Sequence, residues 1–415
     1  MDSPRRKIVD DFLPLLLVYN DGTVHRFINP PHVPPSLSST PSSKDITLSP
    51  PSSSSSNPLS ARLYLPSSSP AKLPILLCFH GGFFCVGSAF SAAHHRFASS
   101  LSSLSPSLLL SVDYRLAPEH PLPAAYHDAW TALQWLASHS TGLGDEHWLT
   151  LHADFNKIFI IGDSSGGNIA HYLAMKAGRE GLPNGVTISG VIVIHPFFWG
   201  SDPMADNLVW SHEDRIGSRL WKFVYPDSPG GLDDPLLNPC APGAPDLAGL
   251  GCSRLLVCVA EKDPLRERNL KYYEAVRDSD WVGEVELYEV AGEDHVFHVL
   301  KPEAETSKMM MKRLVSFINK SIDTTKQSHE TDIESITNQS HIDTESTTKQ
   351  SHESDIESIT NQSHIDTEST TKQSHEADIE SITNQSHIDT ESTTKLSHEA
   401  DIESITNQSH KAEEE

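Results

Sequence analysis

From residue 73 onward, apolar runs of strand length alternate with amphipathic stretches. The amphipathic stretches place apolar residues at helical spacing, which predicts helices. Continuously apolar strands are typical of a parallel sheet covered on both faces, and intervening helices supply that cover. The predicted strands are Ile75–Phe79, Leu108–Asp113, Ile158–Ile161, Val191–Ile194, Leu255–Ala260 and Val285–Val290, and the predicted helices include Pro123–Ser138, Ser165–Lys176 and Leu265–Arg277. We therefore predict an α/β fold with a mostly parallel central sheet and helices on both faces.

The segment before residue 70 has a different pattern, because serine and proline are frequent in it and its apolar runs are short. Val24–Ile28, which follows the turn Asn20-Asp21-Gly22, and Ala61–Leu65 are predicted to be short strands. The run Pro50–Asn57 contains only proline, serine and asparagine, a composition typical of a surface loop.

The last part of the chain, 322–415, is a tandem repeat. After a shortened copy, Ile342–His364, Ile365–His387 and Ile388–His410 are near-identical, and no aromatic residue occurs among them. The isoleucines in a copy are spaced by 14 and 3 residues, so they build no apolar face. Such a segment cannot offset the entropy of ordering its backbone. We predict a disordered, low-complexity tail over 322–415, separate from a folded domain over 1–321.

The formal net charge of −25 is divided unequally between these two parts. The tail has 22 acidic and 5 basic residues, whereas the rest of the chain has 34 acidic and 26 basic residues. Nucleic acids and anionic membranes require patches of lysine and arginine. We therefore expect neither a nucleic acid nor a membrane as a partner.

The five cysteines are odd in number and form no C-x-x-C pair, so they are expected to be free thiols in a reducing compartment. The apolar run near the N-terminus, Phe12–Tyr19, is too short for a secretory signal and has no small-residue cleavage site after it. No run approaches the length of a membrane span. These observations lead us to expect a soluble, cytoplasmic protein.

The segment KIFIIGDSSGGNIAHYLAMK (Lys157–Lys176) joins a predicted strand to a predicted helix through a glycine-rich turn. The turn has the G-x-S-x-G pattern of a nucleophile elbow, with Ser164 at its centre. Glycines are expected at 162 and 166 because a side chain there would strike the neighbouring strand or helix. The turn raises the Ser164 hydroxyl from the sheet and directs the Ser165 amide at a forming oxyanion. A phosphate-binding turn is the alternative, but the G-K-[ST] and G-x-G-x-x-G patterns are absent.

A serine hydroxyl needs an adjacent base, and an elbow fold supplies an acid and then a histidine from later strand ends. Asp263 follows the predicted strand Leu255–Ala260, and His295 follows Val285–Val290. Both positions are at the carboxyl edge of a parallel sheet, where sites in such sheets lie. We expect Asp263 to orient the imidazole and His295 to be the general base.

Other residues compete for these two roles. His298 is the rival base, but His295 lies closer to the strand end. Asp263 is favoured as the acid because Pro-Leu follows it, at the start of a helix. The rival carboxylates are Glu261, Glu293 and Asp294.

The first strand of the main pattern ends in His80-Gly81-Gly82-Phe83, an H-G-G-type loop. Glycines in such a loop let backbone amides approach the oxygen of a substrate closely, as in the oxyanion holes of lipases and esterases. We expect His80 to brace the loop rather than to take part in the reaction.

Five segments together resemble the plant carboxylesterases of the hormone-sensitive lipase branch of the α/β-hydrolase fold, over about residues 8–320. They are HGGFFCVGSAFS (His80–Ser91), DYRLAPEHPLPAAYHDAW (Asp113–Trp130), GDSSGGNIAH (Gly162–His171), EKDPLRE (Glu261–Glu267) and GEDHVFH (Gly292–His298). The resemblance implies a catalytic triad of Ser164, Asp263 and His295. It implies an oxyanion hole formed by the amides of Gly81, Gly82 and Ser165. It also implies a lid built from the N-terminal segment and the Pro196–Pro245 region.

One position departs from the pattern of this family, whose loop usually reads His-Gly-Gly-Gly. Phe83 occupies the fourth position here. A side chain at this point restricts the backbone and narrows the mouth of the pocket, so Phe83 and Phe84 are candidate pocket residues.

Three functions are compatible with the resemblance. The first is a serine esterase that hydrolyses small carboxylic esters through an acyl-enzyme, with no cofactor and no metal. The second is a small-molecule receptor similar to the gibberellin receptors, which have lost the catalytic histidine; the presence of His295 weakens it. The third is a lyase similar to the hydroxyisoflavanone dehydratases, some of which carry threonine at the nucleophile position, so Ser164 favours the esterase. The sequence indicates neither the natural ester nor the oligomeric state.

Overall fold

A computed structural model of the chain describes residues 6–28, 30–48, 58–67, 72–202 and 216–320. The predicted loop Pro50–Asn57 and the predicted disordered tail, 322–415, lie outside these described residues. The described strands are β1 Ile8–Phe12, β2 Leu16–Tyr19, β3 Val24–Arg26, β4 Ser42–Thr47, β5 Ser60–Leu65, β6 Leu73–Phe79, β7 Leu108–Asp113, β8 Ala153–Asp163, β9 Ile188–Ile194, β10 Arg254–Ala260 and β11 Glu284–Val290. The described α-helices are α1 Ala92–Leu104, α2 Ala124–Ser138, α3 His147–His152, α4 Ser165–Glu180, α5 Ile216–Val224, α6 Arg266–Arg277, α7 Phe297–Leu300 and α8 Glu305–Asn319.

Eight strands form the central sheet in the order β4-β5-β7-β6-β8-β9-β10-β11. From β7 to β11 every pairing is parallel, whereas β4 and β5 are antiparallel at one edge. This confirms the α/β fold, and all six strands predicted from the apolar runs are present. The strand β4 was missed because its sequence, SSKDIT, has a single apolar residue and forms the edge of the sheet.

Helices cover both faces of the sheet. Successive strand residues point to opposite faces, so neighbouring residues of one strand are buried by different helices. In β8, Ile158 and Ile160 belong to the apolar cluster that includes residues of α2, α4 and α6, whereas Phe159 and Ile161 belong to the cluster that includes residues of α1 and α8. All seven residues of β9 are buried, as expected for a central strand between two helical layers. The continuous apolar runs in the sequence reflect this burial on two sides.

The three N-terminal strands form a separate antiparallel sheet in the order β1-β2-β3. This N-terminal sheet packs against α5: the rings of Phe12 and Phe223 lie 4.6 Å apart, and Arg219 donates a hydrogen bond of 2.7 Å to the carbonyl of Asp11. The described parts of the two segments expected to form a lid are therefore in contact with each other. Within the described ranges, no helix is both long and apolar enough to cross a membrane.

Candidate active site

Ser164 stands at the sharp turn between β8 and α4, with φ 52° and ψ −117°. The glycines on either side of it are required by close backbone contacts. A Cβ atom at Gly162 would lie 2.1 Å from the carbonyl oxygen of Gly166, and one at Gly166 would lie 2.1 Å from the carbonyl oxygen of Phe79. The turn therefore has the geometry of a nucleophile elbow, for the steric reason that the sequence predicts.

A chain of hydrogen bonds joins Ser164, His295 and Asp263. Nε2 of His295 is 3.0 Å from Oγ of Ser164, and Nδ1 of the same ring is 2.8 Å from Oδ2 of Asp263. Asp263 follows β10 and its side chain is fully buried, whereas His295 follows β11 and is 20% exposed. The other oxygen of the Asp263 carboxylate accepts the amide of Leu265 at 2.8 Å, which fixes the carboxylate plane. The structure thus brings together the three residues that the sequence nominates.

The competing carboxylates all have other partners. Glu261 accepts the Gly292 amide at 2.6 Å, and Glu293 accepts the Thr306 hydroxyl at 2.6 Å. Asp294 accepts the backbone amide of His295 at 2.8 Å, so it orients the main chain of the histidine rather than its ring.

His298, the rival base, lies behind the triad. Its ring packs against those of Phe97 and His195, with centroids 5.3 and 5.7 Å away. Neither of its nitrogens has a hydrogen-bond partner among the described residues, and burial lowers its pKa to about 3. His298 is therefore a neutral packing residue next to the site.

His195 supports the loop that carries His295, a role that the sequence did not suggest. Its Nδ1 accepts the Val296 amide at 3.0 Å, and its ring centroid is 5.9 Å from that of His295. Val296 has a φ of 48°, a conformation rarely adopted by a β-branched residue, so this hydrogen bond holds a strained turn. Burial keeps the pKa of His195 well below its usual range, so its ring does not add positive charge beside His295. Its position directly after a predicted strand is the signal that could have identified it.

His195, Asp263 and His295 each place one nitrogen or oxygen within 4.8 Å of the others. Two imidazoles and one carboxylate could ligate a transition metal. However, Nδ1 of His295 and Oδ2 of Asp263 are already hydrogen-bonded to each other, so a metal ion would have to displace the proton between them.

The loop that follows β6 has an unusual backbone. Gly82, Phe83 and Phe84 all have positive φ angles, of 126°, 52° and 60°. A Cβ atom at Gly82 would lie 2.0 Å from the carbonyl oxygen of Val86, so only glycine fits there. A Cβ atom at Gly81 would lie 3.1 Å from Cβ of Ser164. This loop, residues 80–86, is the candidate oxyanion loop (oxyanion loop for short), and it lies directly against the elbow.

Asp163 links the loop to the elbow, and sequence reasoning missed it. A Cβ atom at Gly81 would lie 2.5 Å from Oδ2 of Asp163, so the carboxylate lies directly against the loop. Burial raises the pKa of Asp163 to about 7, against the opposing effects of the His295 charge and the Gly81 amide. Nε2 of His94 is 3.9 Å from the same carboxylate. Asp163 is thus a buried carboxyl group next to both turns.

The two candidate pocket residues have different surroundings. Phe84 is buried in the core, where its ring lies 5.6 Å from that of Tyr126. Phe83 is half-buried and meets Phe197 edge-on, with ring centroids 5.1 Å apart. Phe83 is therefore the better candidate for contact with a ligand. His80 braces the loop as expected: its ring stacks on that of Tyr114 at 4.3 Å, and its carbonyl accepts the Tyr114 hydroxyl at 2.7 Å.

Comparisons with known proteins agree with this geometry. Residues 76–299 match the family model of the α/β-hydrolase fold. The chain is 49% identical to a 2-hydroxyisoflavanone dehydratase of Glycyrrhiza echinata, over 75% of this chain and 97% of that protein. It is 42% identical to a probable carboxylesterase of Arabidopsis thaliana, over 77% of this chain and 99% of that protein.

Among solved structures, the chain is similar to a hyperthermophilic esterase from the archaeon Pyrobaculum calidifontis. The TM-score is 0.55 at 27% identity, covering 66% of this chain and 84% of the esterase. The match to a thermostable carboxylesterase cloned from a metagenomic library has the same TM-score and identity, and covers 70% and 90% of the two chains. The chain therefore belongs to the plant carboxylesterase family of α/β-hydrolases.

Proposed function

We propose that this protein is a serine carboxylesterase that hydrolyses small carboxylic esters through an acyl-enzyme. The observation that carries the proposal is the continuous hydrogen-bond chain from Asp263 through His295 to Ser164. The fold and the relatives favour ester hydrolysis in general. The chemistry of this site makes the proposal specific.

In the first half of the reaction, Oγ of Ser164 attacks the ester carbonyl while Nε2 of His295 takes its proton. Asp263 holds the ring with Nδ1 protonated and stabilises the imidazolium that forms. His295 then returns the proton to the departing alcohol. A water molecule activated by the same nitrogen hydrolyses the acyl-enzyme and regenerates Ser164.

The amides of Gly81, Gly82 and Ser165 are proposed to stabilise the oxyanion. Removing one donor of this kind typically costs about a hundred- to thousandfold in rate. This mechanism uses no cofactor or metal.

A second candidate is the elimination of water from a β-hydroxy ketone. The two relatives that favour it are 2-hydroxyisoflavanone dehydratases from Glycyrrhiza echinata and Glycine max, at 49% and 46% identity. In such a reaction His295 would remove the proton next to the carbonyl, and the oxyanion donors would stabilise the enolate. The imidazolium would return that proton to the hydroxyl, which would leave as water as the enolate re-forms the ketone. Ser164 would not be needed as a nucleophile.

Replacement of Ser164 separates these functions. We expect Ser164→Ala to reduce hydrolysis of p-nitrophenyl acetate by at least about 10³-fold, because the acyl-enzyme cannot form. Dehydration of 2-hydroxyisoflavanone would survive in that variant if it occurs at this site. The matched control is Ser103→Ala on α1, which should leave both activities unchanged. A folded wild-type protein without ester turnover that binds gibberellin tightly would instead favour the receptor function.

We further propose a hydrolase domain over 1–321, a tail over 322–415 without a role in the reaction, and a cytoplasmic location. One relative is named as a mitochondrial enzyme and two are named as chloroplastic enzymes, so the location has to be tested by imaging a tagged full-length chain.

A further inference from the structure

The oxyanion loop has a backbone that its own sequence does not favour. Phe83 and Phe84 are consecutive non-glycine residues in the left-handed region. This conformation is strained for a residue with a side chain, so surrounding contacts must hold the loop. Inside the loop, the amides of Cys85 and Val86 donate to the carbonyl of Gly82 at 3.0 and 2.9 Å. These two bonds close the turn but do not attach it to the rest of the protein.

The side chain of Arg26, from outside the loop, attaches this turn to the N-terminal sheet. Its Nε donates to the carbonyl of Cys85 at 2.7 Å, and its Nη2 donates to the carbonyl of Ala117 at 2.9 Å. The Ala117 amide in turn donates to the carbonyl of Phe84 at 2.9 Å. Arg26 and Ala117 therefore hold the carbonyls of two successive loop residues from the same side.

Glu119 completes this arrangement. Its two carboxylate oxygens accept Nη1 and Nη2 of Arg26 at 2.8 and 2.5 Å. The Arg26 side chain is 21% exposed, and its hydrogen bonds lower the pKa of Glu119. Guanidinium can serve two carbonyls and a carboxylate at once because its donors form a rigid planar fork. A lysine ammonium cannot reproduce that geometry.

Arg26 belongs to β3, in the N-terminal sheet that also packs on α5. The N-terminal segment, expected only to cover the pocket, thus also contacts the backbone of the oxyanion loop through Arg26. We propose that Arg26 is a positioning residue that holds the oxyanion loop in its reactive conformation and so makes the N-terminal sheet part of the catalytic apparatus. This inference rests on the proposed esterase function.

The proposal requires that loss of Arg26 weakens the stabilisation of the transition state more than the binding of the substrate. The backbone amides of the loop meet a full negative charge only in the tetrahedral intermediate, so a shifted loop lowers kcat with little change in KM. A trifluoromethyl ketone forms a tetrahedral adduct with the serine, and its affinity depends on the same amides. Loss of a residue that merely stabilised the fold would leave both kcat and the affinity of the folded protein for the ketone unchanged.

The experiment compares wild type, Arg26→Met, Arg26→Lys and Arg6→Met in hydrolysis of p-nitrophenyl butyrate. Arg6 is the matched control because its side chain contacts Tyr19, Asp21 and Thr23 at the same N-terminal sheet and, within the described ranges, makes no hydrogen bond to the oxyanion loop. We expect kcat to fall roughly ten- to a hundredfold in Arg26→Met, with KM within threefold and the trifluoromethyl ketone Ki raised by the same factor as kcat/KM falls. The kcat of Arg26→Lys should lie between those of wild type and Arg26→Met, and the kcat of Arg6→Met should equal that of wild type.

Hydrogen exchange of the peptide covering residues 80–86, measured by mass spectrometry, provides a readout independent of activity. Faster exchange confined to this peptide in Arg26→Met supports the proposal. An unchanged kcat, a change in KM alone, or an unchanged ketone Ki overturns it. If Arg26→Met does not fold, Arg26→Lys decides, since it retains the charge beside Glu119. A wild-type protein without ester turnover would refute the proposed function, whereas active wild type with unaffected Arg26 variants would refute only this inference.

Discussion

The nucleophile elbow and the oxyanion loop are both sharp turns at the carboxyl ends of neighbouring strands, but they are held in different ways. The elbow is fixed by its own glycines, since Gly162 and Gly166 leave no room for a Cβ atom. The oxyanion loop places Phe83 and Phe84 where glycine is favoured, and hydrogen bonds from Arg26 and Ala117 hold it. The elbow thus depends on glycines at close backbone contacts, whereas the oxyanion loop depends on hydrogen bonds from distant segments.

The largest expected effect concerns the elbow. In Gly166→Ala the new Cβ would lie 2.1 Å from the backbone oxygen of Phe79, in the core of the sheet. We expect the free energy of unfolding to fall by roughly 3 kcal/mol or more and esterase activity to be lost, as measured by chemical denaturation and p-nitrophenyl acetate turnover. Gly249→Ala is the control, because its Cβ would meet only the end of Met175 at 3.7 Å. Equal stability of the two variants would mean that the elbow is not sterically fixed.

The next effect concerns Asp163, which precedes Ser164 in the elbow and lies against Gly81 of the oxyanion loop. Burial raises its pKa from the ordinary 3.8 to about 7 in the folded protein. Between these values the folded state keeps a proton that the unfolded state releases, so the free energy of unfolding falls as the pH rises from about 4 to 7 and then levels off. The side chain in Asp163→Asn cannot ionise, so this contribution to the pH dependence is lost. From pH 5 to pH 8, the free energy of unfolding of wild type should therefore fall by a few kcal/mol more than that of the variant. Chemical denaturation at both pH values tests this.

Asp280→Asn, an exposed site, controls for the loss of a surface charge in that experiment. If Asp163→Asn and wild type show the same pH dependence of stability, the carboxyl group does not retain its proton in the folded state.

The smallest effect is expected from Phe83→Gly in the oxyanion loop. Glycine suits a φ of 52°, and the edge-on contact with Phe197 would be lost, so the two changes in stability oppose each other. We expect a wider pocket mouth and a roughly three- to tenfold rise in kcat/KM for p-nitrophenyl hexanoate relative to acetate. A chain-length profile identical to that of wild type would show that Phe83 does not restrict the acyl group.

The fold and the three candidate triad positions were predictable from the sequence because their signals are local. The apolar runs identified six strands, and strand ends located Asp263 and His295. The strand β4 was not predictable, since polar residues at a sheet edge give no apolar pattern. Asp163 lies within the quoted motif, but its raised pKa depends on burial that no motif reveals.

By itself, the sequence determined the order of strands and helices, the glycine-fixed elbow at Ser164 and the chemical types of its partners. These follow from periodicity and from motifs whose residues are adjacent in the chain. Only the tertiary structure decided that His195 supports the histidine loop and that Arg26 reaches Cys85 across 59 positions. Such contacts depend on how distant segments pack in three dimensions, and no local pattern in the chain encodes them.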